Sequence, residues 1–146
     1  MSAATSSTAR TDCSVAAALD VIGEKWSLLV VRELFLGSRR FTDIATNTGA
    51  PRDVLTARLR RLEQLGVIER RRYSERPTRY VYVLTPAGKD LRPVMLALKH
   101  WGDTHVMGRP MAPLYAHTCG AVFEPRTSCA ECGDVIGPQS LRRIDA

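Results

Sequence analysis

The fold is decided by residues 41–84, which read FTDIATNTGAPRDVLTARLRRLEQLGVIERRRYSERPTRYVYVL. A short helical pattern from Phe41 to Thr48 opens the stretch, and a turn that contains Gly49 follows it. Pro51 suits the first residue of a second helix, because the N–H that proline lacks would have no partner there. This helix is predicted to run to about Leu65, with one apolar stripe made of Leu55, Leu59 and Leu62. Two short helices joined by a tight turn predict a helix-turn-helix.

A β-hairpin is predicted directly after the second helix. β-branched and aromatic residues lie on both sides of a charged, polar break that contains Pro77. A helix-turn-helix followed at once by a basic hairpin is the winged-helix arrangement. In that arrangement the second helix enters the major groove, and the hairpin lies against a phosphate strand or in the minor groove.

Two helices are predicted before this stretch. Thr11 and Asp12 offer an N-cap for a helix that runs to Ile22, and an apolar helix, 24–36, follows as the buried centre of the domain. Gly37 is predicted to end that helix, and Ser38 is predicted to cap the next one.

A long helix is predicted after the hairpin, starting at Thr85 and Pro86. Pro93 should kink this helix or displace its first turns. Its apolar positions form one stripe: Leu91, Val94, Met95, Leu98 and Trp101. We expect a partner subunit to cover the stripe, and the alternative is that the helix folds back on its own domain.

The charge of the chain is concentrated in the same region. The 146 residues carry a formal net charge of +6. From Arg39 to Arg79 there are eleven arginines and five acidic residues, so this segment holds the whole excess. Arginine suits phosphate oxygens and guanine edges, and double-stranded DNA is therefore the predicted partner. A solvated basic surface without a function is the alternative.

The order and spacing of several motifs resemble the HxlR-type family of bacterial winged-helix transcription regulators, which is related to the MarR group. The resemblance covers residues 13–105. It is carried by these stretches: 23–26 (GEKW), 36–41 (LGSRRF), 54–63 (VLTARLRRLE), 66–68 (GVI), 77–79 (PTR) and 84–88 (LTPAG). The resemblance implies a homodimer that pairs through terminal helices and binds a palindromic site near a promoter. Its implied base-reading residues are Arg52, Asp53, Thr56 and Arg60, its wing residues are Arg76 and Arg79, and its backbone contacts are Arg39 and Arg40.

The four cysteines fall into two groups. Cys13 lies near the start of the first helix, where a thiolate is stabilised, and in some members of the family a cysteine at this position senses oxidants or electrophiles. The alternatives are a small residue that packs the dimer seam and a Cys13–Cys13′ bridge between subunits.

The second group lies in residues 106–146, which are too poor in large apolar side chains to form a core without a staple. Cys129 and Cys132 form a Cys-x-x-Cys-Gly turn that is typical of zinc knuckles, and His117 and Cys119 offer a shorter second half. These four residues predict a Cys₃His zinc site. A Cys129–Cys132 redox disulfide and inert thiols stay open as alternatives.

Together these features predict an α+β, mainly α protein: a winged helix-turn-helix with terminal dimerisation helices and a small Cys-rich extension. The predicted parts are a disordered leader, 1–10, the DNA-binding and dimerisation domain, 11–105, and the extension, 106–146. No stretch is apolar enough to span a bilayer and no signal peptide is evident, so we expect a cytoplasmic protein.

The predicted function is sequence-specific transcriptional regulation, with an oxidant or a small molecule as the effector. The chain lacks a phosphate-binding loop and a plausible Ser/His/Asp arrangement, so no enzyme is predicted. The alternatives are a general nucleic-acid-binding or adaptor module with a zinc tail and a small thiol redox protein.

Overall fold

The computed structural model describes residues 13–144. The chain divides into two compact units between Arg92 and Pro93. The first unit contains the helix-turn-helix and the hairpin. The predicted class, α+β and mainly α with a winged helix-turn-helix, is confirmed.

The first unit consists of four helices, a two-stranded antiparallel sheet and a short fifth helix. In chain order these elements are α1 (Ser14–Ile22), α2 (Lys25–Phe35), α3 (Phe41–Thr48), α4 (Arg52–Gln64), β1 (Ile68–Glu75), β2 (Thr78–Leu84) and α5 (Pro86–Lys89). The predicted α3 has the observed limits, and the other predicted helices differ by a few residues at their ends.

The core lies where α2 meets α3, α4 and the base of the sheet. It is made of aliphatic side chains that are almost wholly removed from water: Val30, Val31, Ile44, Leu55, Leu59, Leu62 and Ile68. The leucine stripe of α4 is therefore its inner face, as its three- and four-residue spacing predicts. Burying each of these side chains contributes about 1.5–3 kcal/mol to folding.

The helix caps are where the prediction was least accurate. Thr11 and Asp12 lie outside the described residues, and α1 is capped by Cys13, whose Sγ accepts the N–H of Ala16 at 3.4 Å. Ser38 does not cap α3, because its hydroxyl is hydrogen-bonded to a buried carboxylate. Pro51 is the N-cap of α4 and not its first helical residue.

The predicted long helix after the hairpin is broken in two. Thr85 caps α5 by accepting the N–H of Gly88, and its hydroxyl also lies 3.0 Å from the carbonyl oxygen of Val67. A Cβ on Gly88 would lie 2.1 Å from the same carbonyl, so α5 approaches the chain as closely as only glycine allows. The helix resumes as α6 (Arg92–Gly102), in agreement with the expected displacement by Pro93.

The second unit contains most of α6, a π-helical turn (Asp103–Met107) and two small hairpins near residues 115–123 and 127–136. None of residues 93–144 is buried. None of the helices between residues 13 and 144 is long and apolar enough to cross a membrane.

Candidate nucleic-acid interface

Helix α4 presents polar side chains on the face opposite its buried leucines. Arg52, Asp53 and Arg60 are exposed, and Thr56 is half-buried. At about 100° per residue, Asp53, Thr56 and Arg60 lie within about 60° of one another and at least about 60° from Leu55 and Leu59. Arg52 lies about 20° from Leu59 on the wheel and is exposed because it begins the first turn. The helix thus has a packed face and an outward face of the kind that reads a DNA groove.

Two of these side chains make contacts within the chain. The guanidinium of Arg52 lies over the ring of Phe41, with 4.8 Å between its carbon and the ring centroid. This cation–π contact holds Arg52 at the junction of α3 and α4. The hydroxyl of Thr56 donates to the carbonyl oxygen of Arg52 at 2.7 Å, so its proton is used inside the helix.

Asp53 and Arg60 are uncommitted. In residues 13–144 neither side chain forms a hydrogen bond or an ion pair. Arg60 therefore keeps all five of its donors for an external acceptor, and no intramolecular ion pair has to be broken before it binds. Of the four α4 residues proposed from the sequence, Arg60 has the geometry best suited to a base edge.

The hairpin is joined to the segment that precedes α3. The N–H of Tyr82 on β2 donates to the carbonyl oxygen of Arg39 at 2.8 Å. The guanidinium of Arg40 lies 5.6 Å from the ring centroid of Tyr73 on β1. These contacts bring Arg39 and Arg40 beside the hairpin, so that both belong to one surface with the wing. No local pattern in the sequence predicts either contact.

The arginines of the hairpin divide into two sets. Arg71 and Arg72 are paired with Glu69 and Glu75, and Arg70 stacks over the ring of Tyr80 at 4.3 Å. Arg70 and Arg72 pair across the sheet with Tyr82 and Tyr80, whereas Arg71 pairs with Val81 on the opposite face. The strand therefore alternates as expected, and only part of this run shares one face.

The second set is found at the tip of the hairpin. Arg76 lies in the turn and Arg79 near the start of β2, and both are exposed. Within the described residues neither side chain has a hydrogen-bonding or ionic partner. Like Arg39 and Arg60, they are exposed arginines whose charge no acidic side chain of the described residues neutralises.

Arg58 has a structural role. Its guanidinium pairs with Glu24 at 2.7 Å, and its Nε is buried with no hydrogen-bond acceptor among residues 13–144. The pair joins α4 to the N-terminus of α2, so Arg58 is occupied in helix packing.

A buried carboxylate that the sequence reasoning missed positions the helix-turn-helix. Glu33 on α2 is 2% exposed and accepts hydrogen bonds from Arg32 (2.6 Å), Asn47 (2.8 Å) and Ser38 (3.1 Å). Burial by itself would raise the pKa of Glu33, but these hydrogen bonds outweigh it and hold the pKa below its usual range. The signal in the sequence was a single acidic residue inside the apolar run of α2.

The cysteines and His117 are all exposed, and the four thiols are free. Between residues 13 and 144, no three His, Cys, Asp or Glu side chains are grouped closely enough to hold a metal ion. Cys129 and Cys132 lie together in one turn, while His117 and Cys119 lie together in another. The structure thus brings the predicted ligands together as two pairs and not as a set of four.

A cavity of about 500 Å³ lies within the second unit. Its walls come from α6, the π-helical turn and the first small hairpin, and they include Leu96, Leu114, Tyr115, Phe123 and Arg109. On its α6 side, Lys99 donates to Asp103 and to the carbonyl oxygen of Met111. The hydrogen bond from Lys99 holds the pKa of Asp103 below its usual range.

Comparison with known proteins agrees with this geometry. Residues 21–110 match the family described as HxlR-like helix-turn-helix. An HTH-type transcriptional regulator of Mycobacterium tuberculosis is 46% identical over 131 residues, which cover 88% of this chain and 82% of that protein.

Two solved structures are also similar. The crystal structure of PA1607, described as a transcription factor, superposes with a TM-score of 0.77 at 29% identity, covering 97% of this chain and 100% of that one. The oxidised form of the redox regulator HypR gives a TM-score of 0.59 at 34% identity, over 64% of this chain and 97% of HypR.

The family match covers more than half of the chain, and the Mycobacterium relative is similar over most of its length. The alternative of a small thiol redox enzyme is therefore wrong. The chain belongs to the HxlR-like helix-turn-helix family and is a DNA-binding transcriptional regulator, not an enzyme.

Proposed function

We propose that this regulator binds a palindromic operator as a homodimer, with α4 in the major groove and the hairpin against the adjacent phosphate backbone. The observation that carries the proposal is the distribution of unpaired arginine charge in the described residues. Arg60 on α4, Arg39 before α3, and Arg76 and Arg79 on the hairpin are exposed and form no ion pair, whereas Glu24, Glu69 and Glu75 already pair with other arginines.

The residues divide by role. Arg52, Asp53, Thr56 and Arg60 face the bases, because a recognition helix places its outward residues at base edges. Arg60 can form a bidentate pair with guanine, and Asp53 can accept from cytosine. Arg39, Arg40, Arg76 and Arg79 contact phosphates, which fixes the register of the protein on the duplex but carries no sequence information.

The proposed dimer interface is made of apolar side chains that are exposed to solvent in the single chain. Val15 and Leu19 on α1 and Val94, Leu98 and Trp101 on α6 are exposed. A second copy that covers these side chains would give two-fold symmetry. Two recognition helices would then read half-sites one helical turn apart, or a multiple of about 34–36 Å, and this spacing accounts for a palindrome.

Two features support a regulator that responds to a signal. Cys13 caps α1 with its exposed sulfur, and the similarity to the redox regulator HypR makes an oxidant one candidate signal. The cavity beside α6 makes a small molecule the other, because it has the volume of an ordinary ligand site. It lies on the face of α6 opposite Leu98 and Trp101, so a ligand there would act on the proposed dimer helix.

The test is fluorescence-anisotropy titration of the purified protein with DNA from its own upstream region and with a scrambled duplex. We expect tighter binding to the upstream DNA and a loss of about 10³–10⁵ in affinity between about 50 and 200 mM salt if 6–10 phosphates are contacted. Replacing Arg52 and Arg60 by alanine should remove the preference for the upstream sequence. The matched control is Arg126→Ala, an exposed arginine of the second unit.

The competing function is a general nucleic-acid-binding module. It predicts equal affinity for the two duplexes and a uniform weakening by the double variant. Treatment with mild peroxide, repeated with Cys13→Ser, would identify an oxidant response: the proposed sensor requires a change in the wild type that the variant lacks.

A further inference from the structure

The first small hairpin of the second unit, 115–123, is closed by a tight turn and has a defined pattern of hydrogen bonds. The backbone N–H of Phe123 donates to the carbonyl oxygen of Tyr115 at 2.7 Å. In the same way His117 donates to Ala121 at 2.9 Å, and Gly120 donates to His117 at 2.8 Å. Gly120 has φ 90°, which side-chain-bearing residues rarely adopt. Cys119 directly precedes this glycine.

The second hairpin, 127–136, repeats the pattern. Backbone N–H groups donate from Ile136 to Thr127 at 2.8 Å, from Cys129 to Asp134 at 2.9 Å and from Gly133 to Cys129 at 2.9 Å. Gly133 has φ 77°. Cys132 directly precedes it.

The two patterns place four side chains at equivalent positions. His117 in the first hairpin corresponds to Cys129 in the second, since both begin the turn and both bond across it in the same way. Cys119 corresponds to Cys132, since each stands before the glycine of positive φ. The first turn is one residue shorter, and this accounts for the His-x-Cys spacing where the second hairpin has Cys-x-x-Cys.

The second hairpin already resembles half of a thiolate site. Cys129 and Cys132 lie on the same short turn, which the N–H of Gly133 closes on the carbonyl oxygen of Cys129 at 2.9 Å, and both thiols are exposed and free. The thiolate is the form that binds metal ions.

The first hairpin offers the matching donors. Nδ1 of His117 accepts the N–H of Cys119 at 3.3 Å, so this ring nitrogen has a lone pair directed into the turn. A metal ion would compete with that N–H for the lone pair. The thiol of Cys119 is exposed on the same turn.

The second unit also needs a cross-link to hold its hairpins in place. None of residues 93–144 is buried, and Val122 and Val135, the apolar bridge residues of the two hairpins, are 72% and 53% exposed. Hairpins of this size do not hold each other in place without a core, a disulfide or a metal.

We propose that the two turns are the halves of one structural zinc site, in which His117, Cys119, Cys129 and Cys132 bind a single Zn²⁺ ion. Since the described chain presents the ligands as two separate pairs, binding draws the two hairpins together. Three thiols each lose a proton to solvent and the imidazole binds as a neutral ligand, so the Zn–ligand group carries one negative charge. No oxidation or reduction is involved. Three thiolates and one imidazole form a tetrahedral donor set typical of structural zinc.

Metal analysis and native mass spectrometry of the full chain, purified without chelator, test this proposal. We expect one zinc per chain, and Co²⁺ in its place should give the visible absorption of a tetrahedral thiolate complex. His117→Ala, Cys119→Ser and Cys129→Ser should each lose the metal, while Cys13→Ser, a matched exposed cysteine, should retain one ion per chain. Circular dichroism confirms that the helices of the first unit stay folded in each variant.

Three outcomes would overturn the proposal. One is half an ion per chain that survives Cys119→Ser, which would mean that two chains share a metal through their second hairpins. Another is a metal-free chain 2 Da lighter than expected (about the mass of two hydrogens), the sign of a Cys129–Cys132 disulfide. The third is a metal-free chain in which all four thiols react with a thiol reagent.

Discussion

Replacing Glu33 with alanine should destabilise the first unit strongly. The carboxylate is buried, and it accepts hydrogen bonds from Ser38, which precedes α3, and from Asn47, which lies within α3. A net hydrogen bond to a charged group contributes about 1.5–3 kcal/mol. The pair with Arg32 counts for less, because the Arg32 side chain is 43% exposed and screened by water.

The expected loss is therefore about 3 kcal/mol for Glu33→Ala and about 1–2 kcal/mol for Glu33→Gln, which keeps one acceptor and the volume of the side chain. The free energy of unfolding would be measured by urea denaturation, followed by circular dichroism at pH 7. Glu63→Ala, at an exposed acidic position of α4, is the matched control and should stay within about 0.5 kcal/mol of the wild type.

The pH dependence provides a second check. The pKa of Glu33 in the folded protein is lowered, so its contribution is fully present above the unfolded-state pKa of about 4.3 and is lost as the pH falls through the lower folded-state pKa. The difference in the free energy of unfolding between wild type and Glu33→Gln should therefore shrink below about pH 4. This role of Glu33 would be contradicted if Glu33→Ala were as stable as Glu63→Ala at pH 7, or if the stability difference between wild type and Glu33→Gln were unchanged in acid.

Two further predictions concern packing and assembly. Gly88→Ala should destabilise the first unit by about 2–3 kcal/mol in thermal or urea unfolding, because its Cβ has no space, whereas Gly102→Ala, with open space in α6, should be neutral or slightly stabilising. Equal effects of the two changes would contradict this account of α5. Leu98→Asp should convert a dimer into a monomer in sedimentation velocity, because it places a charge on the proposed apolar seam, with helix content preserved. An unchanged dimerisation affinity would show that α6 does not form the dimer interface.

Much of the fold could be predicted because its periodic signals are local. The leucines of α4 repeat at helical spacing and the hairpin strands are rich in β-branched and aromatic residues, and both elements are observed. The caps were less predictable because they depend on tertiary partners. Ser38 suits an N-cap by residue type, but the Glu33 carboxylate takes its hydroxyl, and this bond depends on how α2 packs against the segment before α3.

The candidate site was only partly predictable for the same reason. Composition and the wheel of α4 identified exposed arginines, but not which of them are neutralised within the chain. Arg58 and Arg60 are two positions apart, yet Arg58 pairs with Glu24 while Arg60 is uncommitted within the described residues. The contact from Tyr82 to Arg39 joins residues more than forty positions apart, and no local pattern reports it. Whether the base-reading residues act as proposed stays a prediction.

In the proposed complex α4 reads bases while the hairpin tip binds phosphate. The most direct test compares Arg60→Ala with Arg76→Ala, measuring affinity for the upstream DNA and for scrambled DNA across a salt series. Arg60→Ala should lose about 1–3 kcal/mol of binding free energy for the upstream DNA, and its affinity for scrambled DNA should change little. Arg76→Ala should weaken binding to both duplexes about equally, and it should reduce the slope of log K against log salt concentration by about 1. If Arg60→Ala weakens both duplexes equally, or leaves both unchanged, α4 is not the element that reads the sequence.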